Sequence, residues 1–330
     1  MNTVIYAPVM VTTLCRYEEF RTCMESLSRC TDADKTEVYI GVDYPADESH
    51  RNGYRKIVDY LPSISGFRKV NIFMREENWG QWKNGHDLRE RIREKYDRFI
   101  MTEDDNEFSP NFLLYMNQCL ERYKDDSRVV RVCGYSYMEW EDIGDYPFNA
   151  FPMQGYCAWG MGGWFSKEQE IRSTFKKAKD IIHDKQVVRK LFSERLHVTV
   201  HNMMFRWHKY SGDIRFVCNC ALNDKYCIFP SVSKVRNHGF SGNGLHCTTI
   251  NTYAKQRIDT NSSFVLDKFE IKKYKQIDKL HDKHYAGNFL LRVLTRLEYW
   301  YWRRTGKAFR DNQFLRSIMK MRVKWFLNEK

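Results

Sequence analysis

In the first half of the chain, short β-branched runs alternate with segments whose apolar positions recur at helical spacing, the pattern of a mostly parallel sheet flanked by helices. Strand candidates lie at 4–12, 37–42, 70–74, 98–102 and 129–133. Between the first two, Phe20, Cys23, Met24 and Leu27 fall at i, i+3, i+4 and i+7, which predicts a helix with one buried stripe. Leu88, Ile92 and Tyr96 mark a second helix, and Phe112, Met116, Cys119 and Tyr123 a third. Residues 138–165 are rich in aromatics and glycine without a period, and read as long loops over one side of a pocket. Helical spacing returns at 186–210, whereas 218–244 reads as strand, turn and loop. Everything after Lys268 reads as helical, with Phe289, Val293, Leu297 and Trp300 sharing one face and Phe314, Ile318, Met321 and Trp325 the face of a later helix.

With 330 residues, 42% of them apolar, the chain can fill a sizeable core, and it contains no Ser/Gly-rich linker or solenoid repeat. The expected division is a main domain at 1–250 and a basic helical extension at 251–330. The N-terminal apolar run has no basic residues ahead of it, and no apolar run reaches the ~18 residues of a membrane span, so neither a secretory leader nor a spanning helix is predicted. Ten scattered cysteines without a C-x-x-C pair suit a reducing cytoplasm better than a structural zinc site.

Charge changes this picture in one place. The chain carries a net +12, and residues 267–330 hold seventeen Lys and Arg against seven Asp and Glu, so most of the surplus lies in the last fifth. The pattern of Arg316, Lys320 and Lys324 opposite an apolar stripe fits contact with an anionic membrane, or a helix pair packed on the core with a solvated basic exterior. Nucleic acid is not the expected partner, because no nucleic-acid motif accompanies the basic tail.

The densest chemical signal is FIMTEDDNEFSPNF, an apolar strand ending in Glu103, Asp104 and Asp105. Three acids at a strand end repel one another unless a cation compensates, and Mg²⁺ or Mn²⁺ held together with the phosphates of a nucleotide is one such cation. A solvated acidic turn is the alternative reading.

Four segments, in order, resemble the inverting, family-2-like glycosyltransferases of bacterial surface polysaccharide synthesis, which have the GT-A fold. They are APVMVTTLCRYEEFRTCMESL, IGVDYPAD, ENWGQWKNG and TEDDNEFSPNF; later, YCAWGMGGWF, SGDIRF and SVSKVRNHGFSGNGLHC resemble the acceptor-side and C-terminal motifs of that group. The resemblance implies a GT-A, Rossmann-like three-layer α/β/α sandwich with a C-terminal helical extension. It also implies an enzyme that moves a sugar from a nucleoside diphosphate, UDP by expectation, to a hydroxyl of a glycan or lipid-linked acceptor. The expected setting is the cytoplasm, at the inner face of the membrane.

Residue by residue, the resemblance assigns Thr13, Arg16, Asp43, Asn78 and Lys83 to the nucleotide, with Glu103 and Asp104 nearer the ribose or donor sugar. It assigns Asp105 and His246 to the metal, and Asp213 to the base that deprotonates the acceptor. Helix capping for Thr13, a surface ion pair for Arg16 and turn roles for Asp43 and Asp213 stand beside these assignments. Gly212 departs from the tryptophan expected before the base, and His238 stands where an apolar residue is expected; Glu194 and Asp142 are reserve bases. Trp159, Gly160, Gly163 and Trp164 resemble a stretch beside the acceptor, though core tryptophans are as common. The rivals are a sugar-phosphate nucleotidyltransferase, whose glycine-rich phosphate loop is missing here, and a non-catalytic nucleotide-sugar or membrane-binding partner.

Overall fold

A computed structural model describes residues 5–137, 143–206, 212–239 and 256–309. By the packing of the chain on itself it divides into two compact units, Met1–Arg172 with Tyr226–Lys272, and Ser173–Lys225 with Lys273–Lys330. This interleaving was absent from the expected division at 1–250 and 251–330. It arises because the chain leaves the sheet after residue 172 and returns to it at Tyr226 to add another strand.

The first unit is built from β1 (Val9–Thr13), α1 (Tyr17–Ser28), β2 (Glu37–Val42), α2 (Arg51–Tyr60), β3 (Lys69–Met74), α3 (Gly80–Arg93), β4 (Arg98–Glu103), β5 (Asn106–Phe108), α4 (Phe112–Arg122), β6 (Val129–Cys133), β7 (Ala150–Met153), β8 (Met161–Trp164) and α5 (Phe165–Ser173). The second contains α6 (Ala178–His183), α7 (Lys185–Ser193), α8 (His197–Arg206) and α9 (Gly212–Leu222). Strands β9 (Tyr226–Pro230) and β10 (Val235–Asn237) return to the first unit, and α10 (Lys275–His281) and α11 (Phe289–Thr305) to the second.

Eight strands form one sheet in the order β3-β2-β1-β4-β8-β6-β9-β7. Strands β3, β2, β1 and β4 are mutually parallel, β8 runs antiparallel to both its neighbours, β9 is parallel to β6, and β7 closes the edge antiparallel to β9. Consecutive residues of β1, β2, β4 and β6 are buried, so both sheet faces are covered, as a parallel sheet between two helical layers requires. Edge strand β3 is largely open by contrast. The expected stripe of α1 is in place: Phe20, Cys23, Met24 and Leu27 are all buried.

Two expectations give way. The aromatic and glycine-rich stretch holds β7 and β8 rather than loops alone. Strand β8 reads MGGW, and its glycines hid it, since glycine has low strand propensity. Gly163 leaves room for the Arg131 side chain, since a Cβ there would lie 2.5 Å from its Nη1 and 3.0 Å from its Cδ. The segment expected to start a strand at Cys218 is instead the second half of α9, because a short apolar run such as FVCNCAL serves a buried helix as well as a strand.

In the second unit, Asp184 caps α7 by accepting from the N–H groups of Gln186 and Val187, and Asn288 caps α11 through Leu291. The face of α11 that meets the core is Leu291, Thr295, Glu298 and Tyr299. The face read from the sequence is turned outward instead, with Phe289, Leu297 and Trp300 exposed. The helix expected at 314–325 lies outside the described residues. Among those described, no helix is long and apolar enough to cross a membrane.

Candidate functional site

Three neighbouring strands end side by side in the first unit. Strand β1 ends at Thr13, β2 at Val42 and β4 at Glu103, and the residues just beyond each of them carry the polar chemistry. Ligands of open α/β sheets bind at this carboxyl edge.

Asp104 and Asp105 form the tight turn that joins β4 to β5, and both are buried. Their partners come from two other segments. Thr13 Oγ1 donates to Asp104 Oδ2 at 2.9 Å, and Arg16 bridges the pair, one guanidinium nitrogen on Asp104 and the other on Asp105 Oδ2 at 2.7 Å. Asn237, the last residue of β10, donates to Asp105 Oδ1 at 2.8 Å and to Asn106 Oδ1 at 2.9 Å. The antiparallel pairing of β5 with β10 brings Asn237 opposite Asn106 and fixes this contact.

Two carboxylates therefore share one guanidinium, and the cluster keeps an unbalanced negative charge. Burial, with the repulsion of Asp105 added and the attraction of Arg16 opposing, pushes Asp104 up to about 6. Burial would lower the pKa of Arg16, but the two carboxylates raise it. Glycine is required where the chain leaves β10: a Cβ on Gly239 would lie 2.2 Å from Asp105 Oδ2, so this loop passes directly over the carboxylate.

Asp43 follows β2 and is buried; its N–H donates to the carbonyl of Thr13 at 2.9 Å. Its Oδ1 accepts from the N–H of Trp79 at 2.8 Å and of Tyr44 at 3.0 Å, which ties the end of β2 to the start of α3. Asn78 reinforces that tie by donating to the Tyr44 carbonyl at 2.6 Å. Two cations lie over the Trp79 ring, the Arg75 guanidinium 4.3 Å and the Lys83 ammonium 4.1 Å from its centroid.

Of the residues singled out in the sequence, Thr13, Arg16, Asp104 and Asp105 are thus in direct contact, and Asp43 joins them through the Thr13 backbone. Asn78 and Lys83 belong to the Trp79 loop; Lys83 is exposed and lies 3.4 Å from Glu77. Glu103 is half-buried at the end of β4, opposite Thr12. His246 and Asp142 lie outside the described residues. Asp213 belongs to the second unit, exposed in the first turn of α9, and Glu194 there is ion-paired with Lys273. His238 pairs with Glu107 at 2.8 Å, alongside Arg236 at 2.9 Å. Trp164 is a core residue, its indole N–H donating to the Leu120 carbonyl at 3.2 Å, while Trp159 packs edge-on to Tyr135.

Two residues of the site, Asn237 and Gly239, bear no local sign of their role in the sequence. They stand on either side of His238 in SVSKVRNHGFSGNGLHC, yet only the strand pairing of β5 with β10 shows what they touch. Among the described residues, no three His, Cys, Asp or Glu side chains come together as a metal-holding group. The pair Asp104 and Asp105 still suits a hard divalent ion, which takes one or two carboxylates and completes its shell with phosphate oxygens and water.

Comparison with protein-family models gave no match, and comparison with curated proteins gave none. Among solved structures, the chain resembles a mannosyltransferase from Pyrobaculum calidifontis, solved with GDP-Man and Mn²⁺, at 10% identity over 67% of this chain and 70% of that one, with a TM-score of 0.37. It resembles mouse xyloside xylosyltransferase 1 at 10% identity over 68% of this chain and 84% of that one, TM-score 0.36. It also resembles S. aureus TarS at 14% identity over 36% of this chain, TM-score 0.27; the match spans 20% of TarS.

Proposed function

We propose that the protein is a glycosyltransferase that binds a nucleoside-diphosphate sugar, with a divalent ion, at the carboxyl edge of its sheet. The observation that carries this reading is the pairing of Asp104 and Asp105 on a single guanidinium, which leaves a buried site one positive charge short of balance. In this reading Asp105 holds Mn²⁺ or Mg²⁺, with His246 as a second ligand. Once bound, the ion neutralises the diphosphate that leaves as the sugar departs.

The residues of the chain do the rest. Thr13 and Arg16 orient Asp104, and the Arg16 guanidinium, at the same strand edge, would also serve the phosphates of the donor. Asp43, held by the Trp79 and Tyr44 amides, meets the ribose or base. Asn78 and Lys83 close the Trp79 loop over the donor, and Glu103 and Asp104 face the ribose and sugar.

For an inverting transfer, Asp213 is the proposed base that takes the acceptor proton. Its place in a motif that resembles the acceptor-side stretch supports the choice, as does the desolvation that pushes its carboxyl up to about 6, towards the range a base needs near neutral pH. The acceptor is a hydroxyl of a glycan or a lipid-linked oligosaccharide in surface polysaccharide synthesis. The outward apolar face of α11, flanked on that helix by Arg292, Arg296 and Arg304, supports peripheral contact with an anionic membrane on the cytoplasmic side.

A panel of nucleotide sugars, with UDP-sugars first, assayed for released nucleoside diphosphate with Mn²⁺ and a glycan acceptor, tests the reading. Turnover that falls by at least about a hundredfold in Asp213→Asn, while nucleotide binding persists, is the expected result. Release of pyrophosphate would instead establish nucleotidyl transfer, and an absence of turnover across the panel would contradict the enzymatic reading.

A further inference from the structure

The second unit contains a cavity of about 610 Å³, walled by residues 173–176 and by α6, α7 and α9. Its volume is that of a site for one small molecule. Among the described residues three cations line it, Lys176, Lys190 and Arg215, and no carboxylate does. Asp224, 3.9 Å from Lys190, stands outside the lining, and the Lys190 ammonium also donates to the Leu222 carbonyl at 3.0 Å.

A second observation points to a ligand. Asn219, 5% exposed, lines the same cavity, and its amide nitrogen donates to Thr174 Oγ1 at 2.7 Å. Its Oδ1 is buried and accepts no hydrogen bond among the described residues. Buried amide oxygens are nearly always satisfied, so a donor from a ligand is the partner this atom lacks. An ammonium ligand would meet that need but would be repelled by the three cations; a hydroxyl would not. The side chains of Gln186 and Asn223 add further amides to the wall, and Ile181, Val187 and Leu222 supply an apolar floor of the kind sugar rings pack against.

We infer that this cavity binds a small polyhydroxylated ligand carrying a phosphate. The cations take the phosphate, and a ligand hydroxyl donates to Asn219 Oδ1. The ligand is a sugar or polyol phosphate, either free or as one unit of a longer phosphate-bearing glycan. All walls belong to the second unit, so the site is distinct from the carboxylates at the strand ends.

Calorimetric titration of the full chain in EDTA, which removes divalent ions from the strand-end carboxylates, tests this. Glucose 6-phosphate is expected to bind at least about tenfold more tightly than glucose, which lacks the charge-assisted bonds of the phosphate, and than inorganic phosphate, which lacks both the hydroxyl bonded to Asn219 and the packed ring. Lys176→Gln and Arg215→Gln, both at exposed positions, should each weaken it about tenfold. Asn219→Leu should weaken glucose 6-phosphate but leave inorganic phosphate unchanged. An oligomeric glycerol phosphate that binds more tightly than its monomer assigns the site to a glycan unit, and equal binding assigns it to a free metabolite. If neither sugar nor polyol phosphate binds, or if the double variant Lys176→Gln with Arg215→Gln binds glucose 6-phosphate as the unaltered protein does, the inference is overturned. Should Asn219→Leu lose its helical circular dichroism, the two exposed variants decide alone.

Discussion

The first unit buries two clusters of carboxylate and guanidinium groups, and they are balanced in opposite ways. Glu168 on α5 meets Arg131 of β6 at 2.9 Å and Arg172 at 2.7 Å, and it also contacts Arg89 of α3. One carboxylate there serves three guanidiniums. At the strand ends, two carboxylates serve one. Burial alone would raise the pKa of Glu168, but Arg131, Arg89 and Arg172 draw it down to about 2. Asp104 moves the other way, up to about 6. The Glu168 carboxylate is answered from three sides, by residues of α3, β6 and its own helix that the fold holds together. The strand-end cluster carries one carboxylate more than its guanidinium balances, and the proposed cation site rests on that difference.

The contrast is sharpest in stability. Glu168→Gln leaves Arg131 and Arg89 buried without their counter-charge, and urea unfolding should show a loss of about 3 to 5 kcal/mol. Asp105→Asn removes one charge from a pair already in excess and should shift stability by no more than about 1 kcal/mol. Equal losses in the two variants would erase the distinction drawn between the clusters.

Arg16→Gln comes next in size. It removes the only cation that bridges Asp104 and Asp105 among the described residues, and is expected to cost about 1 to 2 kcal/mol. Mn²⁺ should restore much of that loss in a thermal-shift measurement, because the ion then occupies the place of the guanidinium. The Glu168→Gln variant should gain nothing from Mn²⁺.

The smallest effect is a pair of opposed pH slopes. The folded pKa of Glu168 lies below its ordinary 4.5, so its stabilisation is present above that value and is lost as pH falls towards about 2. The folded pKa of Asp104 lies above its ordinary 3.8, so its contribution is present below that value and fades as pH rises through about 6. Unfolding free energies measured across both ranges should lose the acid limb in Glu168→Gln and the upper slope in Asp104→Asn.

Much of this was legible in the sequence where local pattern and tertiary demand agree. Strands β2 and β6 run over the residues their β-branched character marked out, and the acids after β4 gather with Thr13 and Arg16 because parallel neighbours bring their ends to one edge. Where long-range packing overrides propensity, the pattern was silent. Strand β8 is held in the sheet by its neighbours despite two glycines, and the FVCNCAL run folds as helix under contacts the local sequence does not encode. Asn237 and Gly239 act through a strand pairing between segments more than a hundred residues apart, and no local spacing marks such a contact.

The proposed function depends on Asp104 and Asp105 forming an incomplete cation site for a nucleoside diphosphate. Calorimetric titration of UDP into the protein, with Mn²⁺ and with EDTA, in the unaltered chain and in Asp105→Asn, tests it most directly. Binding should require Mn²⁺ and weaken at least about tenfold in the variant. UDP affinity that is the same with EDTA as with Mn²⁺, and the same in both proteins, would contradict it.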